Sequence, residues 1–281
     1  MAVAVNHTSF LRPAFCMLGC LLVVTLSGCA TMEGLFSEGP FGGPPSHLSA
    51  PRQPEYRTPD QAAQPIDSDQ KAVLASARTL IGLAPESRVN VNGRTFVLDC
   101  IGTVSAIFYG IDIDVQRDFR RYSGDGVNRL YQSLKALNTL HKDLYPRPGD
   151  VIFWDNTWDA NGDGILTDDP RTHAGVVLSV DKDGTIHYVH EHIIKGVTIE
   201  AMNLLHPRDY YDPQGRIINN ALAMNSGISR KNNPPHWTSG DLWDSFGDIL
   251  RVRKHFEVAD TPSDLGPSEE SVLAMRPPDQ W

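Results

Sequence analysis

The apolar positions change period partway along this chain. From Ser68 onward, Val73, Leu74, Ala77, Leu80 and Ile81 recur three and four apart, which predicts an amphipathic helix capped by Asp67 or Ser68. Val91-Asn92-Gly93-Arg94 then reads as a hairpin turn, because Asn-Gly accepts the positive φ that two-residue loops demand. Asp99 caps a second predicted helix bearing Cys100, Val104 and Ile107. A third is predicted over 127–140, with apolar residues at 127, 130, 134, 137 and 140. Beyond Pro146 and Pro148 the runs shorten into strands, predicted over 151–154, 174–180, 185–190, 197–200 and 249–256. In the third of these, Ile186, Tyr188 and His190 share one face, while His187, Val189 and Glu191 share the other. Helices first and antiparallel strands after is an α+β arrangement.

The flanks have no such periodicity. Residues 1–28 have the order of a secretory signal: Arg12, then an apolar core through Phe15, Met17, Leu18, Leu21, Leu22, Val23 and Val24, then Ser27 and Gly28 before Cys29. The core is too short to span a bilayer comfortably, since a spanning helix needs ~20 apolar residues. Leu26-Ser27-Gly28-Cys29 resembles the bacterial lipobox, which implies cleavage before Cys29 and lipidation of its sulfur. Several acyl chains anchor a protein because each buried methylene contributes about 0.8 kcal/mol. Ala30, where an inner-membrane retention aspartate commonly stands, points to the periplasmic side of the outer membrane. The alternatives are an ordinary cleaved signal with a chance cysteine, or an uncleaved membrane helix. Residues 29–66 are Gly/Pro-rich and read as a flexible tether, and 258–281 as a disordered tail. Between them, 67–257 is the size of one domain. The formal charge of −9 and the lack of a basic run argue against a nucleic-acid partner.

Of the four cysteines, Cys16 and Cys20 lie in the leader and Cys29 closes the lipobox, so Cys100 is a lone thiol in the body. A free cysteine on an amphipathic helix is often a packing residue. A thiol in the first turn of a helix is also where unpaired N–H groups and the helix dipole favour a thiolate. Such a nucleophile needs a base, and His173 stands at the head of a predicted strand.

At these residues the chain resembles the NlpC-type papain-like peptidases of bacterial cell walls. The resemblance rests on Asp99-Cys100-Ile101-Gly102, on Gly149-Asp150-Val151-Ile152-Phe153-Trp154, on His173-Ala174-Gly175-Val176, and on His190 ahead of Gly196-Val197. It covers about 68–200, and the related CHAP amidase pattern also places its third member at His190. The resemblance implies a papain-like fold, with N-terminal helices packed on an antiparallel sheet or half-barrel. It implies Cys100 as nucleophile, His173 as general base and acid, and His190 as the group orienting His173. It further implies an endopeptidase or amidase acting on peptidoglycan stem peptides, at a γ-D-glutamyl–diamino acid link, with no required cofactor. Two departures bear on substrate preference: Ile101 replaces the family's serine, and Arg88-Val89-Asn90-Val91 replaces its aromatic, glycine-rich segment. A non-catalytic envelope lipoprotein binding wall peptide or a protein partner in the same cleft is the alternative, and transfer onto a non-wall substrate is a third reading.

Other residues suggest other chemistry. Asp159, Asn161, Asp163 and Ile165 match the first half of a calcium loop; Pro170 occupies the position of the EF-hand glutamate, for which Asp168 or Asp169 could substitute. An acidic, turn-rich loop accounts for them equally. His173, His187, His190 and His192 invite a zinc reading, which lacks a His-Glu-x-x-His helix and gives Cys100 no role. Trp154, Trp158, Trp237 and Trp243 would either stack on sugars or fill a core. Residues 206–246 read as an elaboration near the cleft.

Overall fold

The computed structural model describes residues 58–62, 65–224 and 237–258. The expected leader, the lipidation at Cys29 and most of the tether and tail fall outside these residues.

A short helix, α1, spans Pro59–Ala62. Helix α2, Ser68–Leu80, begins in a reciprocal capping box: Asp67 accepts the Gln70 N–H at 2.8 Å, and the Gln70 side chain accepts the Asp67 N–H at 2.9 Å. Strands β1 (Arg88–Val91) and β2 (Arg94–Val97) pair across Asn92-Gly93, both at positive φ, as the turn chemistry required. Helix α3, Cys100–Tyr109, is capped by Asp99, whose carboxylate accepts the Gly102 N–H at 2.6 Å. Helix α4, Gly126–Ala136, stops short of the predicted residue 140. Asn138 turns the chain with a φ of 54°, and Leu140–His141 becomes strand β3.

The main sheet adds β4 (Val151–Trp154), β5 (His173–Val180), β6 (Thr185–His192), β7 (Gly196–Asn203) and β8 (Trp243–Gly247). Its order is β3-β8-β4-β5-β6-β7, with every pairing antiparallel. Strand β8 was not anticipated, and the strand expected over 249–256 is instead a 3-10 turn at Leu250–Val252 followed by helix α5 at Arg253–Phe256. Asp248 starts that turn by accepting the Arg251 N–H. Ile249 and Phe256 are both fully buried, and residues seven apart share one helix face.

Strand alternation divides the interior in two. Val151, Phe153, Ala174, Val176, Val189 and Val197 join Val73, Val104, Ile107 and Leu130 of the helices in one core. Helix α3 lies against β5 and β6 on this side, and α2 against α3. The opposite face carries Ile152, Trp154, Val177, Ile186, Tyr188, Met202 and Phe246. Leu222 and Leu242, from the long connection between β7 and β8, close it over. That connection is the 206–246 elaboration, and the part of it described is a cover for a second core. The fully buried Asn219 holds it in place. Its side chain accepts the Asn203 N–H and donates to the carbonyls of His206 and Asp209, satisfying backbone groups that a buried loop would otherwise strand. The arrangement is α+β with an antiparallel sheet. Among the described residues no helix is long and apolar enough to cross a membrane.

Candidate active site

Two strand ends carry three imidazoles. His173 opens β5, while His190 and His192 lie near the close of the antiparallel β6, so they come together at one edge. His173 Nε2 and His190 Nδ1 are 2.9 Å apart, their rings edge-on at 87°. The pair is packed by aromatic neighbours: Trp154 lies 5.6 Å from His173 and Tyr188 5.1 Å from His190, centroid to centroid. Trp154 is fully buried, and its indole N–H donates to the Ser239 carbonyl. It therefore serves as a wall of the histidine pocket and not as a sugar platform.

The other ring nitrogen of His190, Nε2, lies 3.2 Å from Glu200 Oε2, with both side chains almost wholly buried. The approach is off the ideal hydrogen-bond axis, and among the described residues neither atom makes a hydrogen bond of good geometry, so this imidazole–carboxylate contact, with the Tyr188 hydroxyl close by, is what surrounds them. The second Glu200 oxygen accepts from Lys195 Nζ at 2.7 Å. Burial pushes the Glu200 carboxyl up, but His190 and Lys195 outweigh it and hold the group down to about 2. Burial drives His173 the other way, well below the ordinary imidazole value. His173 is therefore neutral at neutral pH. Glu200 and Lys195 went unnoticed in the sequence. The available signal was an acid inside the otherwise apolar or neutral run Val197-Thr198-Ile199-Glu200-Ala201-Met202, on the strand that pairs with β6 and directly opposite Tyr188.

Cys100 is half-buried in the first turn of α3, packed against the helix-side core. The groups acting on its thiol are burial, then Asp99, the Ile101 backbone N–H, Glu191 and Asp125. All but the N–H raise its pKa, which is pushed up to about 12. Glu191 belongs to β6 between His190 and His192, so the α3 N-terminus and the histidine edge are electrostatic neighbours. Their side chains approach that edge from different cores: Cys100 from the helix side, the imidazoles from the face of Trp154 and Tyr188. The structure thus joins His173 to His190 directly, and no histidine is among the groups that set the thiol's charge. Glu191 itself is pushed up to about 6 by burial and by Asp99 and Glu86.

Ile101, the departure after the cysteine, has a packing role. A side chain on Gly126 would strike its Cγ2 at 2.8 Å, so Ile101 sits directly on the first residue of α4. The insert between β4 and β5 is tied down next to His173. Asn156 and Asp169 exchange backbone and side-chain hydrogen bonds, Thr157 donates to Thr172, and Asp155 accepts the Arg171 N–H.

Within that insert, the residues expected to hold calcium spend their oxygens on the loop's own backbone. Asp159 accepts from Gly162 and Gly164, Asn161 from Asp163, and Asp163 from Ile165. Asp168 has its carboxyl pushed up, by partial loss of water and by Asp163, Asp169 and Asp159. Asp169 Oδ2 is the one buried carboxylate oxygen there without a partner among the described residues. Among those residues no three His, Cys, Asp or Glu side chains are gathered to hold a metal ion, which bears on the zinc reading as well. His187 pairs with Asp181 at 2.9 Å on the opposite face from His190, and His192 Nδ1 accepts the N–H groups of Ile194 and Lys195 in the β6–β7 turn. Trp158 donates to the Thr172 carbonyl, and Trp237 and Trp243 pack against the second core.

No family model, curated protein or solved structure compared with this chain matches it.

Proposed function

We propose that this protein is a lipid-anchored cysteine hydrolase of the bacterial cell envelope, cleaving amide bonds in peptidoglycan stem peptides through Cys100, His173 and His190. One observation carries the reading. A half-buried imidazole that is neutral at neutral pH is hydrogen-bonded to a second imidazole at a strand end, and a helix that begins with a cysteine starts next to that end. The choice of wall peptide as substrate comes from the motif resemblance alone.

In this reading the resting pair is neutral thiol and neutral imidazole. As Cys100 Sγ bonds to the substrate carbonyl carbon, its proton passes to His173 and the carbonyl oxygen takes the negative charge. N–H groups of the α3 first turn, where the Ile101 N–H already faces the sulfur, favour that charge. The imidazolium returns its proton to the departing amine as the C–N bond breaks, leaving a thioester. Water then attacks the thioester with His173 again as base, releasing the acid and restoring the thiol. His190 keeps the His173 ring in position throughout.

The test is release of peptides from purified cell wall. Cys100→Ala is expected to lower the rate at least ~10³-fold with an unchanged melting temperature. Undiminished release by that variant sinks the nucleophile assignment.

A second reading has an observation of its own. A thiol surrounded by Asp99, Glu191 and Asp125 is poorly prepared to ionise. That favours a non-catalytic lipoprotein binding wall peptide in the same cleft. It predicts no release by the wild type, and equal retention of wall fragments by wild type and Cys100→Ala.

A further inference from the structure

We infer that Glu200 is a positioning residue that fixes the protons of both imidazoles, so that His173 presents a bare Nδ1. The inference rests on the hydrolase reading only for the use made of that nitrogen.

The argument runs from the acid inward. Glu200 is ionised over the whole neutral range, so its oxygens only accept. Oε1 is taken by Lys195, and Oε2 faces His190 Nε2 at 3.2 Å. A buried carboxylate oxygen facing a lone pair would be repelled, so His190 Nε2 carries the hydrogen. Lys195 already supplies a positive charge to Glu200, so we assign His190 as the neutral imidazole, which makes its other nitrogen, Nδ1, an acceptor. That nitrogen is 2.9 Å from His173 Nε2, so Nε2 of His173 must donate. A neutral ring holds one N–H, and His173 is kept neutral by burial, so its proton is spent on Nε2 and Nδ1 is left bare. One carboxylate thus sets two rings in series. Reversing the first hydrogen would reverse both, turning His173 Nδ1 into a donor unable to accept a thiol proton. Lys195, by holding Oε1, keeps the acid in its seat without touching either ring. The buried Tyr188 hydroxyl, across the strand pair from Glu200, neighbours the same carboxylate and Ser239; toward an ionised acid it can only donate, so it does not change which atom of His190 carries the hydrogen.

Two-bond proton–nitrogen correlation spectra of the purified full chain, labelled at histidine nitrogen, read the protons directly and need no substrate. The expected spectrum shows Nε2–H with unprotonated Nδ1 for both His173 and His190. In Glu200→Gln, whose amide offers a donor and an acceptor, the single form is expected to give way to a mixture, and Glu200→Asp to restore it in part. On cell-wall peptide, kcat of Glu200→Gln is expected to fall roughly 10²- to 10⁴-fold with KM changed by no more than about twofold, the signature of a misplaced proton. An Nδ1–H on His173 in the wild type overturns the inference, and so do identical tautomers in Glu200→Gln. The wild-type spectrum decides even if that variant does not fold. Lys195→Met, which leaves the carboxylate in place, is expected to keep the wild-type tautomers. A wild type with the expected tautomers but inert toward cell wall sinks the hydrolase reading while the assignment to Glu200 stands.

Discussion

Cys100 and His173 approach one end of the sheet from two cores, and removal from water acts on them in opposite directions. The thiol is charged when it loses a proton, so burial pushes it up, and Asp99, Glu191 and Asp125 push it further. The imidazole is charged when it gains one, so burial pushes it down. Both end neutral at pH 7. A third group shows that burial alone does not decide this. His141 is also buried, but Asp143 and Asp150, each 3.3 Å from one of its ring nitrogens, outweigh desolvation and hold it up at about 9. What surrounds a buried group, and with which sign, sets its charge. Under the proposed hydrolase reading, that charge state requires a proton transfer during attack in place of a standing thiolate–imidazolium pair.

The largest effect expected is on thiol chemistry. With the thiol at about 12, alkylation of Cys100 by iodoacetamide is expected to rise roughly tenfold per pH unit, standing near pH 7 some ~10⁵-fold below its alkaline limit. A midpoint close to neutrality would break the comparison and mean that the resting pair is ionic.

His141 supplies the next effect. Its folded pKa lies above the ordinary value of 6.5, so its contribution is complete below pH 6.5 and is lost as pH rises through about 9. The loss is on the order of 3 kcal/mol, at about 1.4 kcal/mol per unit. Denaturant titrations at pH 6 and 9.5 measure it. His141→Asn is expected to flatten the difference, and the same pH slope in that variant would show that other groups carry it.

The smallest effect separates capping from charge. Asp67→Ala is expected to cost about 1 kcal/mol of stability by opening the α2 capping box, with the Cys100 titration unmoved. Asp99→Asn keeps a capping oxygen at the start of α3 and removes a negative charge beside the thiol. The expected result is nearly unchanged stability and a lowered Cys100 pKa. A thiol that titrates identically in both variants would mean that Asp99 acts on the sulfur only as a cap.

Much of this was legible along the chain because it depends on neighbours in sequence. The capping of α2 and α3, the Asn92-Gly93 hairpin and the four-residue strand at Val151 follow from local propensity and alternation. The contact of His173 with His190, found at 2.9 Å, was expected only as an implication of the family resemblance. The 249–256 segment was misread because a short apolar run fits a strand or one turn of helix equally, until Asp248 commits it to a turn. Strand β8 was missed because Trp243-Asp244-Ser245-Phe246-Gly247 pairs on both sides, with β3 and β4, so its alternation is broken by contacts its own residues do not announce.

The sequence by itself determined where the helices and most strands begin and that one thiol stands in the body. The tertiary structure decided which core each side chain enters, and with that the charge each carries. It brought Glu200 and Lys195 behind His190, and Glu191 and Asp125 toward Cys100. The physical reason is range. Capping and alternation act over a few bonds, whereas desolvation and Coulomb forces depend on distances through space that the order of residues does not state.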